Sequence, residues 1–158
     1  MANRNLILKA DEIEFVAVPG TLLFGYLAER IGAKRTIYIA LVLFVLVTGY
    51  AYFMVGPWEF WLLGFGAALI LGGSQAVSRS LFSFLLPADK NAEFFGFYAI
   101  TAKFASVLGP FLFVLIVDLT GSVRLSILAL TSFFVIGMVL LVGVNVERGR
   151  AQAQAGGV

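Results

Sequence analysis

The 158-residue chain has no cysteine and no histidine. Disulfides are therefore excluded, and so are zinc sites built from Cys and His. Nucleophile pairs of the Ser-His or Cys-His kind go with them. Charge is scarce as well: Asp, Glu, Lys and Arg make up 13% of the residues, about half the share in a soluble domain. The formal net charge of +2 is too small to point to nucleic acid. An enzyme working by acid–base or metal chemistry would lack its parts, so we expect no enzyme, no cofactor and no metal.

Apolar residues are abundant. They form 61% of the sequence, and the mean hydropathy is +0.99. They come in long runs rather than at amphipathic spacing, as in helices that face lipid. The fold class this implies is an all-α membrane protein with about five transmembrane helices, and its first partner is the lipid bilayer. Runs at 13–30, 37–55, 60–86, 94–117 and 125–146 approach the roughly 20 residues needed to cross hydrocarbon. Together they make a bundle over 13–146, preceded by a divergent segment 1–12. The tail 147–158, mostly "RGRAQAQAGGV", is polar and expected to be disordered.

Connections are short. Gly56-Pro57 is a turn signal, with Trp58 and Trp61 at an interfacial depth. Asn91 and Glu93 suit a helix start. If spans alternate, Arg30, Lys34, Arg35, Lys90, Arg148 and Arg150 share one side, and Arg4, Lys9 and Arg124 the other. The positive-inside rule makes the first side cytoplasmic, with the C-terminus inside. The expected location is a bacterial inner membrane. An external N-terminus without a signal sequence would be natural if a preceding span had been lost.

The stretch "GYLAERIGAKRT", Gly25 to Thr36, concentrates charge between two apolar runs. A cytoplasmic turn with positive residues that fix topology would explain its charge alone. Its spacing, G-x-L-A-E-R-x-G-x-K-R, is more particular. Gly25 would let a neighbouring helix approach, and Gly32 would permit a backbone reversal. Glu29 could accept from Arg30, Arg35 or exposed amides of another helix.

This pattern resembles the cytoplasmic loop signature of major facilitator superfamily transporters, with Glu29 where Asp is usual and Ala33 where a basic residue is common. "FVAVPGTLLFGYLAERIGAKRT", "GGSQAVSRSLFSFLLP", "EFFGFYAITAKFASVLGPFLF" and "DLTGSVRL" are together similar to the C-terminal half of the UMF1 group, which includes the Atg22-like vacuolar effluxers. The resemblance covers about residues 15–147; residues 1–14 look unlike the family. It implies a partial C-terminal bundle, spans eight to twelve of twelve, with the N-terminal half as the missing partner. It also implies a cytoplasmic gating loop at Gly25, Glu29, Arg30, Gly32, Lys34 and Arg35, whose acid faces a helix of the other half. A truncated gene, a mis-assigned start or a split subunit would each give such a chain.

Within the spans, polar residues are few. Lys103 falls near the middle of the fourth run and shares helical spacing with Gly96, Ala99, Ser106 and Pro110. A cation at that depth is costly and faces a cavity or a partner, unless it snorkels or pairs with an acid elsewhere. Gln75 and Arg79 share one face of the third run with Gly64, Ala68 and Gly72. For Arg79 the competing reading is a topological anchor, and for Gln75 a helix-bridging amide. Gln75, Arg79, Lys103 and Ser106 are the candidate transport pathway, with a positive potential suited to an anionic solute. Pro19, Gly20, Gly109 and Pro110 are candidate helix bends, or only packing positions. The function expected is a partial secondary transporter that moves a small solute, an amino acid in the efflux direction, by alternating access, and that is inactive alone. The alternative is a non-transporting membrane subunit or scaffold, one part of a split transporter.

Overall fold

The computed structural model describes residues 18–87 and 91–155. All its regular elements are helices: α1 over 18–31, then α2 Ala33–Phe53, α3 Pro57–Phe84, α4 Asn91–Thr120, α5 Val123–Gly143 and α6 Val146–Ala155. Among the described residues there is no strand. Four helices, α2 to α5, are long and apolar enough to cross a membrane. The first expected span, 13–30, begins outside the described residues, and α1 is its described part. Segment 1–12 lies wholly outside them.

Helix boundaries follow from local chemistry. Glu59, in the first turn of α3, reaches back so that Oε2 accepts from the backbone N–H of Val55 at 2.9 Å and of Gly56 at 3.2 Å. This is the returning arm of a capping box. The Tyr50 hydroxyl donates to its Oε1 at 3.4 Å, tying the last turn of α2 to the first of α3. Pro57 opens α3, where its missing N–H costs nothing. Trp58 and Trp61 are exposed there, as interfacial indoles should be. At the end of α4, Gly121 has φ 67 and donates to the Val117 carbonyl at 2.7 Å. That left-handed cap is cheap only for glycine.

Two compact units divide the chain, one ending at Ser80 and one beginning at Leu81, and α3 contributes to both. In the first, Phe24, Ala40, Ile70 and Val77 form a buried core, with Ala28, Ala33, Ile37, Leu43, Phe44 and Val47 around it. Glycine sets the closeness of α1 and α3: a Cβ on Gly20 would strike the Leu69 backbone, and one on Gly73 would strike the Phe24 ring. Small residues bring membrane helices together in this way.

In the second unit α4 packs on α5. Ser126, fully buried on α5, donates from Oγ to the Phe113 carbonyl of α4 at 3.1 Å. Phe82, Phe95 and Tyr98 form an aromatic cluster, with Phe82 4.9 Å from Tyr98 and 5.5 Å from Phe95. Exposed Leu, Val, Ile and Phe side chains cover the long helices. In a bilayer that surface is solvated by lipid tails, while the helical backbone satisfies its own polar groups.

The structure corrects one sequence expectation outright. Residues Val146–Ala155 form a helix rather than a disordered tail. Asn145 caps it: its Oδ1 accepts from the Arg148 N–H at 3.0 Å, and Glu147 adds an acid in the first turn. The helix lies against the end of α3. A Cβ on Gly149 would lie 2.6 Å from Leu85 Cδ2, and the Arg150 guanidinium stacks 5.0 Å from the Phe84 ring centroid.

Candidate functional site

The charged turn is a single residue long. α1 ends at residue 31 and α2 starts at Ala33, leaving Gly32 between them with φ 92 and ψ 145. Gly32 donates to the Ala28 carbonyl at 3.0 Å, closing α1. Its own carbonyl accepts from the Thr36 N–H at 3.1 Å and from Thr36 Oγ1 at 3.0 Å, opening α2. Thr36 is fully buried, so the turn is fixed from below. Its φ lies where side chains with a Cβ are strained.

Around this turn Glu29, Arg30 and Arg35 are exposed. Arg30 lies over the Tyr26 ring, 5.0 Å from its centroid, one turn back on α1. Among the described residues Glu29 makes no ion pair, although both arginines are near in sequence; its carboxylate is left outward. Lys34 and Arg35 sit in the first turn of α2, which has no acid and no side-chain cap. Helix polarity disfavours cations there, so their position serves the surroundings rather than the helix.

Gly25 does not act as expected within this chain. A Cβ on it would meet nothing within 4 Å, because Gly20 and Phe24 carry the face of α1 that meets α3. Gly20, expected as a bend or a packing position beside Pro19, is a contact glycine; both residues lie in α1. Pro110 lies inside α4, which runs on unbroken to Thr120. Gly109 has open space where a Cβ would be. Pro110 has no N–H to offer the Ser106 carbonyl four residues back, so the ladder is one bond short at that point.

Gln75 and Arg79 are exposed, one turn apart on α3, in the first unit. The packed face of the same helix is the one bearing Ile70, Gly73 and Val77. Lys103 and Ser106 are exposed on α4, in the second unit. Ser106 Oγ donates to the Lys103 carbonyl at 2.8 Å, so this hydroxyl is engaged within its own helix. The candidates thus occupy the faces of α3 and α4 that the units leave open. Among the described residues no group of His, Cys, Asp or Glu could hold a metal.

Sequence reasoning missed three structural residues. Gly73, beside Gly72 in "LGGSQ", is the one that meets Phe24; its spacing three residues from the apolar Ile70 was the available signal. Asn145 followed by Glu147 is a capping signature that was legible. Ser126 carried no signal, since a serine in an apolar run reads the same whether it bonds its own helix or a neighbour.

Comparison with known proteins bears on what this arrangement serves. A family model described as vacuole effluxer Atg22 like matches residues 1–154; the match takes in the first residues, which had looked unlike the family. The MFS-type transporter YxiO of Bacillus subtilis is 42% identical over 147 residues, 93% of this chain and 34% of that protein. Autophagy-related protein 22 of Kluyveromyces lactis is 39% identical over 111 residues, 68% of this chain and 23% of that protein. The protein of the same name from Yarrowia lipolytica is 37% identical over 138 residues, covering 87% of this chain and 20% of its own length. The chain therefore spans about a third or less of the length of these relatives. No solved structure matches. The outward-facing charged turn, the apolar spanning helices and these likenesses agree, and the chain belongs to the Atg22-like family of major facilitator superfamily proteins.

Proposed function

We propose that the chain is the C-terminal part of a secondary carrier that exports a small solute by alternating access, with an amino acid as the solute class. One observation carries this reading: polar side chains at membrane depth, Gln75 and Arg79 on α3 and Lys103 and Ser106 on α4, lie on open faces of otherwise apolar spans. Such residues in spanning helices face a pathway or a partner. Their positive potential suits a carboxylate. The Gly25–Arg35 turn acts as the cytoplasmic gate, with Glu29 accepting from a helix of the other half. The C-terminus is cytoplasmic, in a bacterial inner membrane.

A rocking carrier needs two halves around its site, and this chain supplies part of one; the N-terminal half is its partner. Purified alone into liposomes, it should release no labelled amino acid against a gradient above protein-free vesicles. Concentrative movement by the chain alone would overturn the proposal. Arg79→Gln in the assembled carrier should weaken export of an anionic solute while leaving membrane insertion unchanged.

The bare middle of α4 favours a second reading, that of a membrane subunit without transport activity of its own. Purification with a second helical membrane subunit that transports equally well when this chain is absent would select it.

A further inference from the structure

From Ala99 to Leu108 every residue of α4 is exposed. Contacts of this helix gather towards its ends, at Phe95 and Tyr98 on one side and Phe113 on the other. Lys103 sits in the bare part. Its ammonium has no ion-pair partner among the described residues. On α4 itself the acids are Glu93 and Asp118, which lie about 15 and 22 Å away along the axis at 1.5 Å per residue. α5, packed on α4, contains no acid. Of the other described helices, α3 has Glu59 in its first turn, α6, which is not a span, has Glu147 in its first turn, α1 has Glu29 at its end and α2 has none.

We propose that the bare middle of α4 is the docking surface for another membrane-spanning helix, one that carries a carboxylate at mid-depth and pairs it with Lys103. Three things single out this occupant. A cation at the membrane centre needs a counter-charge, and no described span of this chain brings one. Ala99, Ala102 and Ser106 surround Lys103 at i, i+3, i+4 and i+7 spacing, so a neighbouring backbone can come close enough for a short acid to reach. A second copy of this chain would bring lysine against lysine, whereas relatives of which it covers only 34% and 23% have further chain to offer. This goes beyond the carrier reading and does not rest on it, since a pairing surface exists whether or not solute moves.

The test measures association in bilayers. The cysteine-free chain is labelled at Ala151→Cys and reconstituted with designed Leu/Ala-rich spanning helices that carry Glu, Lys or Leu at the middle position, and energy transfer between the labels is read. The Glu helix should associate about tenfold more tightly than the Leu helix, the scale of one polar contact between membrane helices. Lys103→Leu should remove that difference, and Lys103→Glu should transfer the preference to the Lys helix. Both variants change an exposed side chain, and helicity by circular dichroism checks that the fold is kept. Equal association of the Glu and Leu helices would overturn the proposal, as would a Glu preference that survives Lys103→Leu. So would protection of Lys103 from an amine-reactive label by sodium acetate with the Glu helix inert, because the occupant would then be a dissolved anion. A chain that docks the Glu helix but moves no solute in the assembled carrier would sink the carrier reading and leave this one standing.

Discussion

In the unit ending at Ser80, helices meet with almost no side chain between them: Gly20 lies on the Leu69 backbone and Gly73 under the Phe24 ring. Four apolar side chains there are buried, Phe24, Ala40, Ile70 and Val77. In the unit from Leu81, among the described residues, one apolar side chain is buried, Leu81, and α4 meets α5 across the Ser126–Phe113 hydrogen bond. Apolar spanning helices build both. The difference is where particular small residues fall: in the first unit Gly20 and Gly73 face a helix of the same unit, and in the second Ala99, Ala102 and Ser106 are exposed. A membrane gives no hydrophobic push to close such a gap, so packing occurs where shape permits and stops elsewhere.

Substitutions can break that contrast. Gly20→Val should be the most damaging, since no rotamer relieves a Cβ pressed on a carbonyl; about 3 kcal/mol or more is expected, read as a lower melting midpoint in detergent. Gly32→Ala should cost about 1–3 kcal/mol through its positive φ, although open space surrounds it; the same melt reads it. Ser126→Ala should cost about 0.6 kcal/mol and no more than about 1.7 kcal/mol, seen as looser α4–α5 packing by hydrogen exchange. Gly96→Ala, on the open surface of α4, should leave stability unchanged or raise it by about 0.5–1 kcal/mol. A large loss at Gly96, or none at Gly20, would erase the distinction between the units.

Much of the fold was legible because bilayer crossing imposes a long apolar run, and such runs are hard to mistake. The turn at Gly32 was legible because a reversal between two helices demands a residue without a Cβ. The tail was misread because polar composition outweighed the Asn145 cap, and docking on Phe84 and Leu85 is a tertiary contact that composition does not carry. Gly25 meets no helix among the described residues for a related reason: helical spacing says which residues share a face, but not which face finds a neighbour. Lys103 was legible as costly; what meets it was not, because the sequence holds the cation and no described span holds its counter-charge.

The one-residue join between α1 and α2 has a mechanical consequence. With Thr36 anchoring Gly32 from the α2 side, there is no slack to absorb independent tilting of the two rods. Any swing of α1 against α2 must pass through two torsions of one glycine. Lengthening the join would let the rods drift apart, so a displacement at one end of this hairpin would no longer reach the other.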